Sequence, residues 1–170
     1  ESKILDYRYS VGDKCVIVER FDKRFDELFL FICNQYKIIA SRDSKHLNWR
    51  FADNPENRYK ILAHVDNDRI LGYAVIKIYN NNRVLIGDIV DVIAVNELVL
   101  RQLLNFSFNI LQSNNVSCVN TWFSDKKLMY IFNEFGFKEN GLKFHFIVKN
   151  NSKSKKEGLM DFDNWYITMS

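Results

Sequence analysis

The sequence predicts an α/β (α+β) domain: a mixed, mostly antiparallel sheet with one central parallel pair. Three observations carry this expectation. Runs of β-branched and aromatic residues joined by short polar turns fill residues 59–90, the pattern of antiparallel hairpins. From Arg83 to Phe123 the pattern passes from β-rich through helical to β-rich again. Strands joined across a helix of that length lie parallel, through a right-handed crossover. The remaining apolar residues recur mainly at helical spacing.

Taken in order, Cys15 to Glu19 reads as a short strand. Phe25, Leu28, Phe29, Ile32 and Tyr36 then recur at helical spacing, with Asp22 as cap. A shorter helix follows Asp43 or Ser44 and buries Leu47 and Phe51. Asn54-Pro55 ends it, because the residue before proline avoids helical angles. Tyr59–Val65, Arg69–Tyr79 and Arg83–Val90 form the meander, turned at Asp66-Asn67-Asp68 and Asn80-Asn81-Asn82. The helix from about Glu97 to Gln112 carries a stripe of Leu100, Leu104, Phe108 and Leu111 opposite Arg101, Asn105 and Asn109. Val116–Phe123 is the next strand. A helix over 125–135 is capped by Ser124 or Asp125 and ended by Gly136 in a left-handed conformation. Leu142–Lys149 alternates as a strand, residues 150–158 read as a solvent loop, and Asn164–Met169 closes the sheet.

Composition narrows the function classes. With 170 residues, 47% hydrophobic and 15% aromatic, the chain is long enough for one domain with a real core. Residues 15–170 are expected to form it, behind a tail or linker at 1–14. Twenty-four basic against 21 acidic residues argue against a nucleic-acid partner. The longest apolar run, Leu28 to Cys33, is too short to span a membrane, and no signal peptide is visible. Cys15, Cys33 and Cys118 lack close spacing and read as reduced core thiols of a cytoplasmic protein. His46, His64 and His145 share no metal-ligand spacing, so no metal is expected. The start at Glu1, without Met, leaves open a preceding domain in a longer chain; a homodimer is left open too.

The meander ending in Asp88-Ile89-Val90, the helix with Leu103-Leu104, and the run from Asn133 to Lys138 with its Gly136-Phe137 pair carry a resemblance. In element order, over residues 15–169, the chain resembles the GNAT superfamily of acyl-CoA-dependent N-acetyltransferases. The block Arg42 to Phe51, with Asn54-Pro55 and Trp165 to Met169, is similar to GNAT-like proteins associated with cell-surface sugar biosynthesis. The resemblance implies a GNAT-like sheet whose central parallel pair is splayed, with helices on both faces. It also implies acetyl-CoA as co-substrate in the gap and a small-molecule amine, an amino sugar among them, as acceptor. Splayed strands leave unpaired backbone groups for a pantetheine chain, and the next helix start offers N–H groups to a pyrophosphate.

On that resemblance the cofactor-binding positions are Val90, Val92, Val95, Asn96, Leu98, Val99 and Asp125. Where the family has Arg or Gln, then Gly, then Gly or Ala, this chain has Val95, Leu98 and Leu100, and Glu97 adds a negative charge. Glycine serves there because backbone must approach phosphate closely. Phe132 holds the place of the family's proton-donating Tyr. Tyr130, two residues away, would point roughly 200° around the helix, and it or water is left to protonate the thiolate. Asp88 and Asp91 are the candidate bases. An odd separation puts them on opposite faces of a regular strand, so only a bulge brings both to one cleft. Trp49 and Arg50 would hold the acceptor, as a sugar or a carboxylate. Two readings follow: an N-acyltransferase working by direct attack, and a catalytically degenerate domain acting as a binding or interaction half of a longer chain.

Overall fold

A computed structural model describes residues 14–142, 145–149 and 158–169. Among them the elements run β1 (Cys15–Val18), α1 (Lys23–Ile32), β2 (Ile38–Ile39), α2 (Ser44–Leu47), β3 (Tyr59–Asp66), β4 (Arg69–Asn81), β5 (Val84–Ala94), α3 (Glu97–Ser113), β6 (Cys118–Asn120), α4 (Lys126–Glu134) and β7 (Trp165–Tyr166). The main sheet has the order β1-β3-β4-β5-β6. Its first three pairings are antiparallel and β5–β6 is parallel. The sheet is therefore mixed and mostly antiparallel, with the expected parallel pair.

Local chemistry explains the hairpins. Asn67 and Asp68 take left-handed angles (φ 47° and 64°) between β3 and β4, and Asn82 and Arg83 (φ 49° and 70°) between β4 and β5. Two successive left-handed residues match the twist of paired strands. The second turn sits later than Asn80–Asn82, because β4 keeps its ladder through Asn81.

The two faces of the sheet bury separate cores. Val99, Leu100, Leu103, Leu104 and Leu111 of α3, with Leu128, Ile131 and Phe132 of α4, pack on Ala74, Ile76, Ile89 and Val92. Phe25, Leu28 and Ile32 of α1, with Leu47 and Phe51, pack on Tyr73, Val75, Val90 and Ile93. Helices thus cover both faces. Each long helix starts on a side-chain cap: Asp22 accepts from the Arg24 N–H, Asn96 from Val99 and Asp125 from Lys127 and Leu128. Gly136 takes φ 85° after α4.

Several expectations need correction. Helix α1 stops at Ile32 in a 3-10 turn, and Tyr36 is extended, its ring 4.4 Å from that of Tyr166. Strand β6 spans three residues, since its ladder to β5 stops at Asp88↔Asn120. Residues 142 and 145–149 form no strand; the Phe146 ring packs on Phe162 and Trp165 instead. Only Trp165–Tyr166 of the last segment is a strand, and it pairs parallel with β2 in a separate ribbon. A single antiparallel bridge, Phe123↔Thr168, joins this segment to the stretch after β6. The cysteines are free, but Cys118 is exposed and the other two are half-buried, so they are not core thiols. Burial pushes the Cys15 thiol up to about 11. The tail at 1–13 and most of the 150–158 loop lie outside the described residues.

Gly72 marks a close contact between α3 and the sheet. A Cβ there would meet the Ile93 carbonyl at 2.8 Å and Leu103 Cδ1 at 2.9 Å. Gly72→Ala is expected to lower stability by about 1–3 kcal/mol through overpacking. Urea unfolding checks this, and an unchanged midpoint would show that the helix can lift away freely.

Candidate functional site

The register of β4 on β5 decides where the two aspartates point. Val75 pairs with Asp91 and Ile76 with Ile89, so Val90 is an extra residue: a β-bulge. Asp88 pairs with Lys77. Cross-strand partners share a face, so Asp88 and Asp91 both lie on the face covered by α1 and α2, three residues apart although they are. Ile89 and Val92 remain on the α3–α4 face.

Their environments differ sharply. Asp91 is 1% exposed. Its Oδ1 accepts from Thr168 Oγ1 (2.7 Å), Arg42 Nη2 (3.3 Å) and the Val92 N–H (3.1 Å). Its Oδ2 accepts from Tyr73 OH (2.8 Å) and Arg42 Nε (3.2 Å). Arg42 is buried as well, and its guanidinium lies 5.1 Å from the centre of the Tyr166 ring. Five donors saturate this carboxylate, so it has no lone pair left for a further proton donor. Asp88 is held loosely, by Tyr79 OH and Asn120 Nδ2, each at 3.4 Å. Burial pushes its carboxyl above the usual range, against the pull of Asn120, Lys77 and Tyr79. Sequence reasoning weighed the two aspartates alike and missed Arg42, Tyr73, Thr168 and Tyr166, whose roles come from pairings across as many as 126 positions.

Beyond Asp88 and Asn120 the parallel strands part, and β5 runs on to Ala94 without β6 beside it. Three backbone groups at this parting are satisfied from within the chain. Thr121 Oγ1 donates to the Ile89 carbonyl (2.9 Å). The Val92 N–H goes to Asp91, and the Val92 carbonyl accepts from Tyr166 OH. The Tyr166 side chain belongs to the last segment, tied down where Ser124 N–H donates to the Ile167 carbonyl and Ser124 Oγ to that of Trp165.

This splayed sheet has known counterparts. An aminoglycoside acetyltransferase from an uncultured soil metagenomic sample, in complex with sisomicin, superposes with a TM-score of 0.56 at 12% identity, over 82% of this chain and 100% of that one. Glucosamine-6-phosphate N-acetyltransferase from Arabidopsis thaliana gives 0.56 at 12%, over 81% and 100%. Ribosomal-protein-alanine N-acetyltransferase from Brucella melitensis biovar Abortus 2308 gives 0.56 at 8%, over 79% and 99%. The chain has the GNAT acetyltransferase fold. No family model and no curated protein matches it.

A GNAT fold implies acyl-CoA in the gap, but the residues present do not fit it there. The edge that a pantetheine would pair with is already satisfied at Ile89 and Val92. The Val92 N–H, one of the backbone groups at the bend that would hold a thioester oxygen, is taken by Asp91. At the start of α3 the chain turns in two residues, Val95 and Asn96, between strand and helix. Asn96 spends its side chain capping Val99, Glu97 pairs with Arg101, and Leu98 stands 67% exposed. Val99 is buried in the core, and Asp125 caps α4. Phe132 packs against Phe123 and Phe137 in the core. Tyr130 is 63% exposed and hydrogen-bonds Glu134, which raises its pKa. Among the described residues no cluster of His, Cys, Asp and Glu has the makings of a metal site. His64 is buried and bonds Gln102 Oε1 at 2.8 Å.

Two tests follow from the aspartates. Arg42→Met leaves a buried carboxylate unpaired and is expected to cost about 3–5 kcal/mol. Adding Asp91→Asn should recover part of that loss in urea unfolding; strictly additive losses would show that charge is not the issue. At Asp88 the folded state holds a proton more tightly than the unfolded chain. Stability is therefore lost as pH rises from the unfolded to the folded pKa. Asp88→Asn should remove that loss, giving a flatter stability–pH curve and a more stable protein at pH 7. A curve parallel to that of the wild type would contradict the assignment.

Proposed function

We propose that the chain is a catalytically degenerate GNAT-fold domain, a binding module whose acyl-CoA gap is closed from within, serving as one half of a longer chain. The observation that carries this reading is Val92, whose two gap-facing backbone groups are held by Asp91 and by Tyr166. To open the gap, the Tyr166 ring must leave Arg42 and Tyr36 as well as Val92. Tyr166 is only 3% exposed. Leaving a buried polar group unmade costs about 1–3 kcal/mol each, and emptying the ring's site adds a cavity term. Bulky residues and Glu97 at the start of α3 work in the same direction against a pyrophosphate. Three free thiols accord with a reducing, cytoplasmic setting. No described helix is long and apolar enough to cross a membrane.

A second reading has one observation in its favour. Asp88, loosely held and with its carboxyl pushed up by burial, suits a general base on the face that the bulge presents. On this reading the chain is an N-acyltransferase that moves an acetyl group from acetyl-CoA to an amine. Two neighbours, named for aminoglycosides and for glucosamine 6-phosphate, support an amino sugar as acceptor. Asp88 would then take the proton of the attacking amine.

Calorimetry with CoA and acetyl-CoA separates the readings. The degenerate domain is expected to give no heat and no shift in melting temperature at millimolar ligand. Saturable binding overturns it in favour of the transferase, for which Asp88→Asn should lower turnover by about 10²–10⁴-fold.

A further inference from the structure

His64 is buried with only one of its two ring nitrogens served. It is 2% exposed, and its Nε2 lies 2.8 Å from Gln102 Oε1 on α3. An amide oxygen only accepts, so Nε2 carries the proton and Nδ1 a lone pair. Among the described residues, Nδ1 is the one buried side-chain polar atom without a hydrogen bond. Buried nitrogens are rarely left so, and each such atom calls for an explanation.

The register decides what stands beside it. His64 lies between Cys15 on β1 and Gly72 on β4. Cross-strand partners share a face, here the one under α3, where Cys15 packs on the core. Gly72 brings no side chain, and Leu103 closes over it. Of the two cross-strand neighbours, only Cys15 therefore offers a heteroatom. Asp66, further along β3, is engaged by Lys14 at 2.9 Å. The Cβ atoms of a directly opposed pair stand roughly 4.5–5.5 Å apart. Metal–nitrogen and metal–sulfur bonds of about 2.0–2.3 Å fit between two such side chains. Cys15 is a free, half-buried thiol on the edge strand, so an ion can reach it from solvent.

The pair has the chemistry of a soft-metal ligand set. A metal-binding imidazole donates its other N–H to an oxygen that fixes the ring, as His64 does to Gln102. Thiolate selects soft cations. Charge narrows the choice further. The surrounding layer is apolar, and an uncompensated charge there is costly. One thiolate cancels one positive charge, so a monovalent ion leaves the site neutral and zinc does not. Zinc also takes three or four protein ligands, and no cluster of three stands among the described residues. Burial holds Cys15 as a neutral thiol, pushed up to about 11; a coordinating cation takes the place of that proton.

We propose that Cys15 and His64 form a two-ligand site for copper(I), with Cys15 Sγ and His64 Nδ1 as donors and Gln102 holding the imidazole. Binding forms one metal–sulfur and one metal–nitrogen bond and releases the thiol proton to solvent; no electron is transferred. The site lies at the β1 edge of the sheet, away from the β5–β6 gap. Its test involves no CoA, so it stands or falls apart from the binding-module reading.

The test is anaerobic titration of the full chain with copper(I) against a chromophoric copper(I) chelator, with zinc in parallel. One copper ion per chain is expected, kept in the double variant Cys33→Ser/Cys118→Ser. Cys15→Ser should abolish binding, and His64→Gln should weaken it at least tenfold. Circular dichroism confirms that each variant folds. X-ray absorption of the loaded wild-type chain reads the ligands without any variant, and one sulfur with one nitrogen is expected. No transfer of copper from the chelator, binding that survives Cys15→Ser, or binding unchanged in folded His64→Gln would overturn the proposal. So would zinc held at Cys15 as tightly as copper(I), or two sulfurs about the metal, which assigns it to a bridge between two copies of the chain.

Discussion

The buried pair of Arg42 and Asp91 is the constraint on which the rest of this structure depends. Taking both charges from water is costly, and the pair is tolerated only because every remaining polar atom finds a partner. Those partners come from separate parts of the chain. Tyr73 stands on β4, Asp91 on β5, Arg42 before α2, and Thr168 after β7. The network therefore closes the sheet, the α1–α2 layer and the final segment into one unit. It also depends on the bulge at Val90. Without that extra residue Asp91 would turn toward α3 and α4, into an apolar layer with no cation.

The same network links stability to function. In drawing the final segment onto the bulge, it sets Tyr166 against the carbonyl of Val92 and hands the Val92 N–H to Asp91. A GNAT fold supplies the splayed strands, but a fold is not a function. What matters is whether the backbone groups exposed by the splay stay free. Here the Ile89 carbonyl and both backbone groups of Val92 are taken by the chain's own side chains.

Much of the architecture was legible in the residue pattern. The hairpins followed from polar turns between β-branched runs, and α3 from a stripe four residues apart. The caps Asp22 and Asp125 each sit where a short polar side chain meets free N–H groups. The misses have physical causes. Residues 142–149 alternate like a strand, yet 142 and 145–149 form none, because alternation does not supply a hydrogen-bonding partner. Strand β6 ends early because β5 leaves it, a property of the pair and not of Val116–Phe123. Tyr36 keeps helical spacing yet belongs to the aromatic contact with Tyr166, 130 positions away in the chain.

The sequence by itself determined the layers: most of the helices and strands, which sides are apolar, and that the main sheet holds a parallel pair. These are local matters of periodicity and turn chemistry, carried by neighbours within a few residues. Only the tertiary structure decided the fate of Asp88 and Asp91. Their spacing reads as opposite faces, and a single unpaired residue reverses that. Whether a carboxylate is a base or half of an ion pair depends on what reaches it, and Arg42 and Thr168 arrive from 49 and 77 positions away. Long-range electrostatic pairing of that kind leaves no period in the sequence to read.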